Sequence, residues 1–236
     1  MKRAVCNVSV APMRAENSHQ SEMVSQLLYG ESVEILENLG SFLRIRMVYD
    51  QYEGWVDSKQ IQMADSASAV DADTIVITEN FVSADLPEGK MLLSAGSEVP
   101  QKFVEKIQKP LLTVSETALS FLNVPYLWSG RSFFGIDCSG FTQLVYKIHN
   151  LNLPRDAYQQ AEIGTVLDFI EESEPGDLAF FDDQDGKITH VGMMLEDQKI
   201  IHAYGKVRID TLDSLGIFNK DLNKHTHKLR FVKRIA

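Results

Sequence analysis

From Cys138 onward the apolar residues Phe141, Leu144, Val145 and Ile148 recur at i, i+3, i+4 and i+7, the spacing of one buried helical stripe. A second helix is predicted over Ser115–Val124, stopped by Pro125. Everything after the Cys138 helix reads as strand, over 177–182, 188–195, 199–204, 207–210 and 229–235. Helices followed by a run of strands is the α+β pattern, and it predicts helices packed on an antiparallel sheet.

The first half of the chain has a different texture. Val33–Ile35 and Leu43–Met47 alternate apolar with polar residues, as half-buried strands do, and Glu53–Val56 reads as a tight turn into another short strand. Met23, Leu27 and Leu28 fit a brief helical turn ended by Gly30. Gln62–Asp73 is small, polar and acidic, the composition of a linker. Beyond it, Thr74–Thr78 and Lys90–Leu93 are predicted strands, with a turn over Leu86–Gly89. The expected organisation is a β domain over 1–64, a linker and small β module over 65–110, and a larger domain over 111–236.

Composition narrows the partners. With 33 acidic against 23 basic residues the 236-residue chain carries a formal charge of −10, which argues against nucleic acid or an anionic membrane. There is no uncharged apolar run long enough to span a bilayer. Met1-Lys2-Arg3 is followed by no apolar stretch of the kind a secretory leader needs, so with Met1 as the native start the expected location is cytoplasmic. The two cysteines, Cys6 and Cys138, make no disulfide scaffold.

Cys138 stands in the first helical turn with Asp137 well placed as N-cap. There the helix dipole and free N–H groups favour a thiolate, lowering an ordinary thiol pKa of about 8.5. Ser139 and Gly140 behind it are small and leave room for a carbonyl substrate. A free cysteine is more often just a small buried hydrophobe; what separates the two readings is a base within reach. Of six histidines, His225 and His227 lie in a polar, lysine-flanked stretch, and His149 ends the helix, where a cation suits the dipole.

His190 and His202 instead sit inside apolar strands separated by Glu196-Asp197-Gln198. A three-residue hairpin loop with Leu195 opposite Lys199 sets Gly192 opposite His202 and His190 diagonal to it, on one face. The diagonal is about 7–8 Å, within reach of two imidazoles. A two-residue loop would put them on opposite faces. Cys138, His190 and His202 then form a nucleophile, a general base and the group that fixes the base's tautomer. The same three could bind zinc, but no acid-rich surround is apparent. Phe181–Gly186 fails as a calcium loop because Phe181 and Gly192 fall at the first and last ligand positions.

Pro125-Tyr126-Leu127-Trp128-Ser129-Gly130, Asp137-Cys138-Ser139-Gly140-Phe141, Leu153-Pro154-Arg155-Asp156-Ala157, Pro175–Phe181, His190-Val191-Gly192-Met193 and Ile201-His202-Ala203 resemble the NlpC/p60 family of cysteine peptidases over 111–236. The resemblance implies a papain-like α+β core cleaving amide bonds in peptidoglycan, with Cys138, His190 and His202 as triad, Tyr126 near the nucleophile and no cofactor or metal. Ser21–Glu31 and Tyr52–Val56 resemble the SH3-like β-barrel modules of the subgroup of γ-D-glutamyl-L-diamino acid endopeptidases, also called dipeptidyl-peptidase VI. That likeness implies a murein-derived peptide, L-Ala-γ-D-Glu-diamino acid, as substrate. Glu22 and Tyr52, with Tyr49 nearby, would hold its free α-amine, and Trp128, Asp137 and Ser139 would line the same pocket. By itself Glu22 reads as a solvated surface acid. A broad hydrolase acting on intact wall, or an inactive wall-binding module, are the alternatives.

Overall fold

The computed structural model describes residues 2–63, 74–87, 89–104 and 112–235. The chain divides into two compact units, Met1–Pro110 with Trp128–Phe134, and Leu111–Leu127 with Gly135–Ala236. The boundaries expected at 64 and 110, and most of the expected linker, lie outside the described residues.

In the first unit, β1 (Lys2–Cys6), β2 (Val10–Arg14), β3 (Met23–Leu28), β4 (Ser32–Leu39), β5 (Phe42–Met47), β6 (Glu53–Asp57) and β7 (Ile61–Met63) form an antiparallel sheet in the order β3-β2-β6-β5-β4-β1-β7. Alternate residues such as Ala11, Met13, Val33, Ile45, Met47 and Val56 meet in its core, together with Cys6. The helical turn expected before Gly30 is strand β3, paired with β2 from Val10–Leu28 to Arg14–Met23. Its last four residues are buried on both faces, which removes the alternation that marks a strand. One isolated helical turn would also carry the full cost of nucleation. Glu53–Val56 is strand throughout and contains no turn.

Next come β8 (Thr74–Val76), β9 (Phe81–Leu86), β10 (Gly89–Ser94) and β11 (Glu98–Pro100). They make two antiparallel ladders, β8–β11 and β9–β10, around Ile77, Ala84, Leu86, Leu93 and Val99. Tyr29 packs on this core too. The segment Trp128–Phe134, containing β12 (Arg131–Ser132), belongs to this first unit although it lies late in the chain. Arg131 is fully buried and meets Glu31 through two bonds of 2.7 and 2.8 Å, and its N–H donates to Gln26 Oε1.

The second unit holds α1 (Val114–Ser120), β13 (Gly135–Ile136), α2 (Cys138–Ile148), α3 (Ala157–Gln160), β14 (Thr165–Val166), β15 (Leu178–Asp182), β16 (Ile188–Met194), β17 (Lys199–Tyr204), β18 (Lys206–Asp213), β19 (Gly216–Asn219) and β20 (Lys224–Arg234). Thr113 and Glu116 form a capping box that starts α1, which ends at Ser120, short of the expected Val124. The sheet runs β14-β20-β15-β16-β17-β18-β19, and a further β19–β20 pairing joins its ends, so β15–β20 close on themselves. Ala179, Phe181, Met194, Ile200, Leu212, Ile217 and Val232 pack together as one core.

α2 is buried on every side down to Lys147, wider than the single stripe the periodicity predicts. Its off-stripe polar residues are satisfied: Thr142 Oγ1 donates to Gln160 Oε1 at 2.7 Å and Gln143 Nε2 to the Leu153 carbonyl at 2.9 Å. Among the described residues no helix is long and apolar enough to cross a membrane.

Two features set testable stability effects. Glu31→Ala removes the carboxylate that meets the buried Arg131 guanidinium through two bonds, and we expect a loss of about 3–5 kcal/mol in denaturant unfolding; a midpoint unchanged from wild type would contradict this. A Cβ on Gly192 would stand 2.9 Å from His202 Cβ and 2.7 Å from Ile200 Cδ1. Gly192→Val should therefore destabilise by about 1–3 kcal/mol, read as a lower melting temperature, while Gly186→Ala, with open space around it but φ of +77°, probes backbone strain alone.

Candidate active site

Asp137 starts α2 as N-cap, with extended backbone and a side-chain oxygen accepting from Gly140 N–H at 2.6 Å. This frees the first turn to present Cys138. Arg155, almost wholly buried, braces the cap: its guanidinium donates to both Asp137 oxygens at 3.1 and 2.7 Å and to Ser139 Oγ at 3.0 Å. Gln160 of α3 donates to the Ser139 and Pro154 carbonyls at 3.0 and 2.9 Å and ties the two segments together.

The histidines are placed by register. β16 and β17 pair with Met193 opposite Ile201 and Met194 opposite Ile200, and Leu195 N–H donates to the Lys199 carbonyl. Extending the ladder sets Gly192 opposite His202, the arrangement that a three-residue loop predicts. His190 Nε2 and His202 Nδ1 are 2.9 Å apart, with rings edge-on at 85°. His190 is 6% exposed and His202 fully buried, so neither bond competes with water. Backbone contacts from Val191, the residue after His190, and from Ser139 favour the thiolate of Cys138.

Burial dominates the electrostatics. It pushes the Cys138 thiol up to about 12, reinforced by the Asp137 charge and only partly offset by the main chain of Val191 and by Arg155. The expected thiolate-favouring effect of the helix start is therefore outweighed, first by burial and then by the charge of the cap that creates the helix end. Burial, then the charges of His202 and His227, hold His190 well below its ordinary range. His202 is also lowered by burial, against the opposing pull of Asp210. Burial thus disfavours the charged forms of the thiol and of both imidazoles.

Tyr126, half-buried, has its hydroxyl pushed up to about 12, by burial first and then by the charges of Cys138 and Asp137. A pocket of about 400 Å³ opens at His190, walled by Tyr126, Thr189, Tyr204 and His227.

Other site residues fall in the first unit. The Trp128 indole N–H donates to Glu22 Oε1 at 2.9 Å, and Trp128 is 63% exposed, so this pair comes together at the surface. Tyr52 packs against the barrel core, whereas the Arg131 guanidinium lies 5.3 Å from the Tyr49 ring centre.

Several residues of the site escape the sequence reading. Asp210 accepts from His202 Nε2 at 3.1 Å and from Arg208 at 2.7 and 2.9 Å. His227, expected in a solvated stretch, stacks on His190 at 4.2 Å between ring centres because β20 begins at Lys224 and not at Leu229. Its pKa falls to about 4 through burial and the His202 charge. Burial lowers His149 too, and its Nε2 meets Thr117 Oγ1 at 2.9 Å. Arg155 sits in a quoted motif, and Arg208 and Asp210 alternate along a predicted strand, but neither pattern names a partner.

The chain is similar to known proteins in both of its halves. Residues 123–226 match the NlpC/P60 family and residues 13–61 the bacterial dipeptidyl-peptidase Sh3 domain. A γ-D-glutamyl-L-lysine dipeptidyl-peptidase of Bacillus cereus is 27% identical over 230 residues, spanning 79% of this chain and 68% of that protein. Dipeptidyl-peptidase 6 of Lysinibacillus sphaericus is 26% identical over 255 residues, spanning 89% and 92%. The crystal structure of an NlpC/P60 family protein from Bacillus cereus superposes with a TM-score of 0.80 at 19% identity, covering 98% of this chain and 99% of that one, a likeness of fold. The chain therefore carries an NlpC/P60 domain, the fold of a cysteine-type hydrolase, behind a bacterial dipeptidyl-peptidase Sh3 domain.

Proposed function

We propose that the chain is a cysteine peptidase that hydrolyses the γ-D-glutamyl–diamino acid bond of murein peptides carrying a free N-terminal L-Ala. The observation that carries this is the 2.9 Å His190–His202 bond in the unit whose first α2 turn holds Cys138. Cys138 Sγ attacks the γ-carbonyl as its proton passes to His190. His190 then protonates the departing amine, and water releases the acyl group from sulfur. His202 holds the His190 ring, and the Cys138 N–H is the oxyanion donor we assign. The names of the two relatives, a γ-D-glutamyl-L-lysine dipeptidyl-peptidase and dipeptidyl-peptidase 6, support the choice of bond.

In this reading Glu22 accepts the substrate's α-ammonium. Its Oε1 is already oriented by Trp128, and Oε2 remains able to accept a charge-assisted bond. A peptide blocked at its amine offers no cation there. Soluble fragments are then the substrate class, in keeping with a net charge of −10 that would repel an anionic wall.

Cys138→Ala should abolish release of the diamino acid from L-Ala-γ-D-Glu-diaminopimelate, followed by chromatography; retained turnover would refute the nucleophile. Glu22→Gln should raise KM for the free-amine peptide by about tenfold or more, the size of one charge-assisted bond. It should leave the already slow turnover of the N-acetyl peptide unchanged. Equal cleavage of both peptides by the wild type would remove the recognition role of Glu22.

A further inference from the structure

Asp210 lies on β18, the strand beyond the two that carry His190 and His202, and is 2% exposed. β17 and β18 pair with His202 opposite Arg208 and Ile200 opposite Asp210, which brings Asp210 diagonally to His202. Its Oδ2 receives His202 Nε2 at 3.1 Å and Arg208 Nε at 2.7 Å, and its Oδ1 receives Arg208 Nη2 at 2.9 Å. Arg208 is anchored in turn by Asp221 at 2.9 Å.

A carboxylate only accepts, so the proton in the His202–Asp210 bond sits on His202 Nε2. A neutral His202 then has only a lone pair at Nδ1. The 2.9 Å contact between the rings must accordingly be donated by His190 Nε2–H. That in turn leaves His190 Nδ1 bare, as the one ring atom able to take a proton from Cys138. Turning either tautomer over would place an N–H where the acceptor is needed.

We propose that Asp210, clamped by Arg208, is the positioning residue that fixes the tautomers of both histidines and so the direction of proton transfer. The inference rests on the cysteine-peptidase reading above. His202 is faced by His190 from β16, by Asp210 and Arg208 from β18, by His227 from β20 and by Tyr204 on its own strand. α2 packs on the same strand. Among these, Asp210 favours an imidazolium at His202 and Arg208 opposes it. The two residues should therefore move the acid limb of the pH–rate profile in opposite directions, which a purely structural role would not do.

The test uses the full chain with ¹⁵N-labelled histidine. Ring spectra of the wild type near pH 7 should show both His190 and His202 as Nε2–H tautomers; His202 protonated at Nδ1 would overturn the proposal without any variant. D210N should lower kcat on the order of 10²-fold or more with little change in KM, and move the acid limb of kcat/KM to lower pH. R208Q should move that limb to higher pH. Limbs that stay in place in both variants would overturn the proposal. Loss of turnover in Cys138→Ala alongside unmoved limbs leaves the hydrolase reading standing and this inference refuted. Retained turnover in Cys138→Ala refutes that reading, and with it the reaction the proposed tautomers serve.

Discussion

The His190–His202 bond is the contact on which the chemistry proposed for the second unit depends, and it exists because of a loop length. With three residues between Leu195 and Lys199, even-numbered positions of the two strands share a face, and Gly192 lets them approach. Shortening the loop by one residue would flip one imidazole to the opposite side of the sheet. Gly192 is the complementary requirement: a side chain there would occupy the space that His202 and Ile200 fill. Closure of β15–β20 then removes both sheet edges around this hairpin and keeps water from the inner ring of the pair.

Cys138, the proposed nucleophile, is positioned by a different device. Asp137 ends the extended segment and begins α2, and Arg155 neutralises it from within the core. Burial, and after it the same carboxylate that builds the helix start, makes the thiolate harder to form. Burial has the parallel effect on His190, His202 and His227, lowering each and so disfavouring its charged form in a cluster of rings. A neutral relay of this kind needs its tautomers set, because direction is carried by lone pairs and not by charge.

In the first unit, the late segment Trp128–Phe134 is held by a buried ion pair and by hydrogen bonds to Gln26 and Ser94. Such pairs add little net stability but are costly to break. Here the effect is to keep Trp128 next to Glu22, two residues about a hundred positions apart in sequence. Residues distant along the chain thus act as neighbours without any local pattern announcing it.

Some strands, among them β4, β5 and β15–β18, are legible in the sequence, and two that are not fail for a physical reason: β3 is buried on both faces, and β19 is too short to show a period. The reach of β20 back to Lys224 is hidden by its polar composition, and His227 was misplaced with it. By itself the sequence determined the helix that begins at Cys138, the parity of the His190 and His202 strands and the choice of Asp137 as cap, because periodicity, loop length and capping act over a few residues. Only the tertiary structure decided that Asp210 meets His202, that Arg155 braces Asp137, that Trp128 meets Glu22 and that the thiol lies high. Those depend on register between separate strands and on burial, and neither is written in the neighbourhood of the residues concerned.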